Sequence, residues 1–188
     1  MNHPIPFYDL SRQYQNIKDE VTAAFTRVCQ QNAFSGGPFV DQFEKEFSSF
    51  CSTKFAVGVN SGTSALHLAL LALGIKPGDE VIIPANTFIA TAWAASYVGA
   101  TPVFVDCRPD TWNIDPKDVV KKITLKTRLI IGVHLYGQPF DVDAIADIAS
   151  SHKITYIEDC AQAQGAKYKG KTVGSLSPMG CFSFYPGK

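Results

Sequence analysis

From Phe55 onward the chain alternates short apolar runs with longer amphipathic ones, a rhythm that predicts strand, loop, helix, strand. FAVGV (55–59) is the first run; the turn NSG follows, and TSALHLALLAL reads as a helix ended by Gly74 with a turn at Pro77-Gly78. EVIIP is the next expected strand, TFIATAWAASYV the next helix, and TPVFVD the next strand. A helix from about Pro116 to Ile123, the strand RLIIGVHLYG, a helix through VDAIADIASSH and the strand ITYIEDC continue the alternation, and CFSFY (181–185) gives a last strand. These strands are continuous in Val and Ile instead of alternating, so both faces of their sheet are expected to be covered. The fold class is therefore α/β, a mostly parallel sheet flanked by helices with right-handed crossovers.

Ahead of Phe55 the period changes. Ile17, Val21, Phe25 and Val28 recur at spacings of four and three, as do Val40, Phe43, Phe47 and Phe50, which predicts two amphipathic helices at the edge of the domain. Gly36-Gly37-Pro38 breaks them apart. No repeat or linker divides the chain, and 188 residues suit one domain with a real core.

Composition narrows the function. Seventeen basic residues balance seventeen acidic ones, so no field of one sign is available to hold nucleic acid or an anionic membrane. Cys29, Cys51, Cys107, Cys160 and Cys181 are odd in number and form no C-x-x-C pair, which fits reduced thiols better than disulfides or a zinc site; no metal is expected. The first residues lack a basic segment followed by an apolar one, and runs such as ALHLALLALG are half of what a membrane span needs, so a cytoplasmic location is expected.

One motif is removed at once. GAKYKGKT (165–172) has the spacing of a nucleotide-binding P-loop, but the VGSLSPMG that follows cannot form the helix such a loop requires, and a basic hairpin is the better reading. A better phosphate cup lies at Asn60 to Leu66, where a turn opens a helix and the N–H groups of Gly62, Thr63 and Ser64 are expected to point outward. A plain N-cap by Ser61 or Thr63 explains the same residues equally well. Glu158-Asp159 closes a strand, at the sheet edge where open α/β folds bind ligands. Lys188 closes another: it is either a solvated lysine on a turn, the reading a lone lysine favours, or a nucleophilic amine whose ammonium Phe182, Phe184 and Tyr185 desolvate. Phe88, in the loop after EVIIP, is placed to offer a flat aromatic face. Phosphate cup, buried acid, lysine and flat ring together describe pyridoxal 5'-phosphate better than they describe unrelated accidents.

SGTSAL, PANTFIATAWA, GATPVFVD, VHLYGQP, EDCAQAQGA and FSFYPGK, with IPFYDLSRQYQ and GGPFVDQFEKEF before them, resemble the DegT/DnrJ/EryC1/StrS family of pyridoxal-phosphate-dependent sugar aminotransferases of fold type I, from about Ile5 to Lys188. The resemblance implies that Lys188 carries the cofactor and moves the proton, that Asp159 partners the pyridine nitrogen, and that Gln162 lies beside the ring oxygen. It makes Ser183 a phosphate ligand alongside Gly62, Thr63 and Ser64, and Phe88 the stacking ring, while His134 and Tyr136 are expected in the core or behind the site. It implies a sugar nucleotide and an amino-acid amine donor, glutamate foremost, as substrates, and a homodimer. Members that remove a hydroxyl carry histidine where this chain has Lys188, which favours transamination over a dehydratase. Family members run to about twice this length, so residues 1–188 are expected to be the N-terminal part of the cofactor-binding domain, without the small C-terminal domain. A fragment that binds without turnover is the alternative.

Overall fold

The computed structural model describes residues 5–188. In chain order the elements are α1 (Ser11–Gln30), α2 (Pro38–Cys51), α3 (Gly62–Ala72), β1 (Glu80–Pro84), α4 (Ala90–Tyr97), β2 (Thr101–Val105), α5 (Pro116–Lys122), β3 (Thr127–Val133), α6 (Val142–His152), β4 (Thr155–Asp159), β5 (Lys167–Tyr168), β6 (Lys171–Thr172) and β7 (Gly180–Cys181). Helix ends follow local chemistry. Asp115 caps α5 by accepting from the Lys117 N–H, with Pro116 in the first turn, and Asp141 caps α6 by accepting from the Ala144 N–H.

The main sheet runs β2-β1-β3-β4-β7, and every neighbouring pair is parallel. Its faces are filled as the apolar runs require. Because successive side chains on a strand point to opposite faces, Val81, Ile83, Leu129, Ile131 and Ile157 pack with Leu66, Leu70, Ala94 and Ala95 of α3 and α4. Ile82 and Ile130 pack on the other side with Val119 of α5 and with Val142 and Ile145 of α6. The sheet is thus sandwiched between α3/α4 and α5/α6, and the carboxyl ends of β1, β3, β4 and β7 open on one edge.

Three expected strands differ. Phe55–Val59 is extended but unpaired, with Phe55 73% and Val57 78% exposed. A ladder needs a neighbour within about 5 Å, and here a groove of about 970 Å³ separates this segment from Pro178–Tyr185. The strand expected over 181–185 pairs only at Gly180 and Cys181. Beyond Cys181, Phe182 and Phe184 turn to α2, where Phe47 meets both rings edge-on with centroids 4.9 and 5.2 Å away. The expected strand over 128–137 stops at Val133, and Leu135–Gly137 form a 3-10 turn. The GAKYKGKT segment is a hairpin: β5 and β6 pair antiparallel across Lys169 and Gly170, both at positive φ, and no helix follows. The helix α1 contributes no buried residue, whereas α2 is held through its phenylalanines. Among the described residues no helix is long and apolar enough to cross a membrane.

Gly132 on β3 marks the tightest packing behind the site. A Cβ there would lie 2.3 Å from the ring of buried Phe140. Gly132→Ala is expected to cost about 1–3 kcal/mol by overpacking, read as a lower urea midpoint; an unchanged midpoint contradicts this packing.

Candidate active site

A cavity of about 480 Å³ lies at the carboxyl edge of the sheet, on the α3/α4 side, and brings together Gly62, Thr63, Phe88, Asp159, Gln162, Ser183 and Lys188. These residues come from four separate stretches of sequence, so it is the sheet that assembles them.

The floor is Asp159, the last residue of β4. It is 5% exposed, and its carboxylate accepts from the Thr91 hydroxyl at 2.9 Å and from the Ala161 N–H at 3.1 Å. Burial raises its pKa above the ordinary carboxylate value; the two hydrogen bonds and the charge of Lys188 offset this only in part. Asp159 is a buried acid short of a cation. Thr91 was not legible as a site residue from the sequence, although it lies one helical turn beyond Phe88, its N–H bonded to the Phe88 carbonyl at 3.1 Å. Thr87 extends the chain, its hydroxyl 2.9 Å from that of Thr91.

One wall is the N-terminus of α3. Ser61 caps the helix by accepting from the Ser64 N–H at 3.1 Å, so that amide is spoken for, and the free donors of the turn are those of Gly62 and Thr63. The alternatives left open by the sequence are therefore both present: a cap by Ser61 and two outward N–H groups. The Ser64 hydroxyl pairs with Ser61 at 3.1 Å. Gly62 must lack a side chain, because a Cβ would come within 2.8 Å of the Ser183 Cβ. That close approach sets Ser183, only 9% exposed, beside the free amides. Gln164, also unforeseen, fixes Ser183 from behind by donating to its carbonyl at 2.5 Å.

At the opposite end, Gln162 accepts from the Tyr136 N–H at 2.9 Å through its side-chain oxygen, which leaves its amide N–H groups free for the cavity. Phe88 stands 61% exposed at the rim. Lys188 extends its Nζ over this ring, 5.5 Å from the centroid. Of the two readings of Lys188 that the sequence left open, the structure shows the solvated turn lysine and not desolvation by Phe182, Phe184 and Tyr185. Lys188 is exposed at the mouth, because Phe182 and Phe184 point to α2, away from the cavity. Tyr8, 178 residues away in sequence, donates to the Pro186 carbonyl at 3.0 Å and lines the same cavity, a contact no local pattern announces.

His134 is fully buried, as expected, but Tyr136 is 84% exposed and adopts a φ of 53°. His134, Glu158 and Cys160 place three potential metal ligands within 4.8 Å of one another. The Glu158 oxygens, however, already accept from His134, Gly174, Leu176 and Ser177. The nearby thiols are inert: burial pushes Cys160 well up and Cys181 to about 12.

The sequence profile of the DegT/DnrJ/EryC1/StrS aminotransferase family matches residues 15–188. The chain belongs to this family. Over 184 residues it is 48% identical to the dTDP-3-amino-3,4,6-trideoxy-alpha-D-glucose transaminase of Streptomyces venezuelae, covering 98% of this chain and 48% of that protein. The crystal structure of S. venezuelae DesV in complex with a ketimine intermediate superposes with a TM-score of 0.95 at 48% identity, over 100% of this chain and 50% of that one. NtdA of Bacillus subtilis with bound cofactor PMP gives a TM-score of 0.85 at 37% identity, over 93% and 40%. The sheet and its helices are thus those of fold type I aminotransferases, and the chain spans about half the length of the relatives it matches.

The environment of Asp159 has two measurable consequences. Thr91→Val removes one of two donors to a buried carboxylate and is expected to destabilise the chain by about 1–3 kcal/mol in urea unfolding; a cost near zero contradicts the bond. The second concerns pH. Because the folded pKa of Asp159 is raised, its contribution to stability is full below the unfolded value of about 3.9 and is lost as pH rises through the folded pKa. The stability of the wild type minus that of Asp159→Asn is therefore expected to fall from pH 4 to pH 7, and a difference that grows with pH contradicts a raised pKa.

Proposed function

We propose that this chain forms the cofactor-binding part of a pyridoxal-phosphate-dependent aminotransferase that moves an amine from an amino acid, glutamate foremost, to a keto-sugar nucleotide. The observation that carries the reading is Asp159: a buried carboxylate held by neutral donors, in want of a cation, on the floor of a cavity whose far wall offers free helix N–H groups and whose mouth holds a lysine. A protonated pyridine nitrogen answers the first, a phosphate the second and an aldehyde the third. The Gly62–Ser183 approach leaves a smooth cradle that any larger residue would fill. The residues present therefore fit the group.

In this reading Gly62 and Thr63 donate backbone N–H groups to the phosphate, Ser183 adds its hydroxyl, and Ser64 stiffens the turn. Phe88 covers one face of the ring, and the Gln162 amide donates to the ring oxygen. Asp159 keeps the proton on the pyridine nitrogen. When bound, the cofactor supplies an electron sink for the carbon that loses its proton. Lys188 Nζ would hold the cofactor's aldehyde and, when free, would be the general base and acid that takes a proton from one carbon and returns it to another. With lysine at this position the proton is returned; a sugar dehydratase carries histidine there.

Residues 1–188 are read as the N-terminal part of the cofactor-binding domain, a reading supported by relatives twice as long; a cytoplasmic homodimer is what the family resemblance implies for the whole enzyme. The open groove beside Phe55–Val59 favours a second reading, in which this chain alone binds the cofactor without turnover.

Incubation with pyridoxal phosphate, borohydride reduction and peptide mapping is expected to place the adduct on Lys188, and Lys188→Ala to abolish it. Adducts scattered over Lys167, Lys169 and Lys171 contradict the site. Amine transfer from glutamate to a keto-sugar nucleotide separates an aminotransferase from a binder.

A further inference from the structure

Glu158 lies beside Asp159 on β4 but faces the opposite side of the sheet, and the cofactor reading gives it no task. It is nonetheless the most heavily bonded side chain near the site. It is wholly buried; Oε2 accepts from His134 Nε2 at 2.9 Å and the Gly174 N–H at 2.7 Å, and Oε1 from the Leu176 N–H at 2.9 Å and the Ser177 hydroxyl at 3.0 Å. Burial works to raise its pKa, but the His134 bond and the Gly174 and Leu176 amides outweigh it, and the net shift is downward. The carboxylate is held as an anion by donors.

Three of those donors lie on one loop, Gly174–Ser177, which leads into β7. That strand has only two ladder residues, Gly180 opposite Glu158 and Cys181 opposite Asp159. So short a ladder fixes the following chain weakly, yet the chain that follows carries Ser183 and Lys188. The loop supplies the missing rigidity. The Glu158 N–H donates to the Met179 carbonyl at 3.0 Å, the Tyr156 hydroxyl donates to the Leu176 carbonyl, and a Cβ on Gly180 would lie 2.4 Å from the Gly174 Cα. On the other side, His134 stacks on Phe140 with ring centroids 4.5 Å apart, and its Nδ1 is buried without a partner. The Nε2 edge of the ring is therefore the one that meets Glu158.

We propose that Glu158 is a positioning residue for the lysine turn: by anchoring the Gly174–Ser177 loop from beneath the sheet, it fixes where β7 ends and so sets Ser183 and Lys188 against Asp159. The proposal rests on the cofactor reading for what Ser183 and Lys188 do, but not for the mechanical coupling itself. Glutamine cannot substitute. Its single oxygen satisfies one pair of donors, and in either orientation its NH2 faces a backbone N–H, of Gly174 or of Leu176, donor to donor.

Two measurements on the whole chain test it. Amide hydrogen exchange of the wild type, Glu158→Gln and Ser177→Ala needs no cofactor. Glu158→Gln is expected to speed exchange about tenfold or more in residues 174–177 and also in 180–185, with α3 and β1 unchanged; Ser177→Ala, which removes one donor and leaves three, gives a smaller change over the same span. The second measurement follows the absorbance of added pyridoxal phosphate against pH. In both variants the apparent pKa of the Lys188-bound form is expected to shift and the affinity to fall, which a loss of stability alone would not produce. Acceleration confined to 174–177, with affinity and pKa at wild-type values, overturns the proposal. If Glu158→Gln does not fold, the Ser177→Ala result decides. If the wild type takes up no pyridoxal phosphate, the function proposed above fails, while the exchange result still decides this one.

Discussion

Glu158 and Asp159 carry two carboxylates into the molecule at the end of β4, one through each face of the sheet. Burying one unpaired charge costs several kcal/mol, so the surroundings of both must be built to answer them. On the α5/α6 side the answer is complete: four donors reach Glu158, and the loop that supplies three of them is held in place by doing so. On the α3/α4 side it is partial. Thr91 and Ala161 reach Asp159, and the rest of its need faces an open cavity. Adjacent carboxylates are thus answered fully on one face and only in part on the other.

The parallel sheet makes this arrangement possible. All its strands end on the same edge, so the turn before α3, the turn before α4, the end of β4 and the chain after β7 converge there without any of them being close in sequence. The first three contribute free amides, an aromatic ring and a carboxylate, and the chain after β7 contributes both a hydroxyl and an amine. The apolar layers behind them, Ile83, Ile131 and Ile157 on one side and Ile82, Ile130 and Phe140 on the other, hold those ends rigid.

The periodicity of the sequence carried most of the fold, because buried parallel strands are continuous in Val and Ile and the helices between them are capped by Asp, Ser and Gly at legible places. It failed where partnership decides. Phe55–Val59 has the composition of a strand, but a strand exists only beside another one. Phe182 and Phe184 looked like a wall around Lys188, but alternation sends them to Phe43 and Phe47 of α2. That Gly62, Phe88, Asp159, Gln162, Ser183 and Lys188 line one cavity was expected from the sequence, for Gln162 and Ser183 only through family resemblance. Thr91, Gln164 and Tyr8 were not, since each acts across a distance in sequence that no local pattern spans.

On the proposed reading, Asp159 is buried without a cation because the pyridine ring of the cofactor supplies one. Nitrogen-15 NMR of ring-labelled pyridoxal phosphate bound to the chain tests it most directly. The account predicts a protonated ring nitrogen at neutral pH in the wild type and an unprotonated one in Asp159→Asn. The same protonation state in both would contradict it.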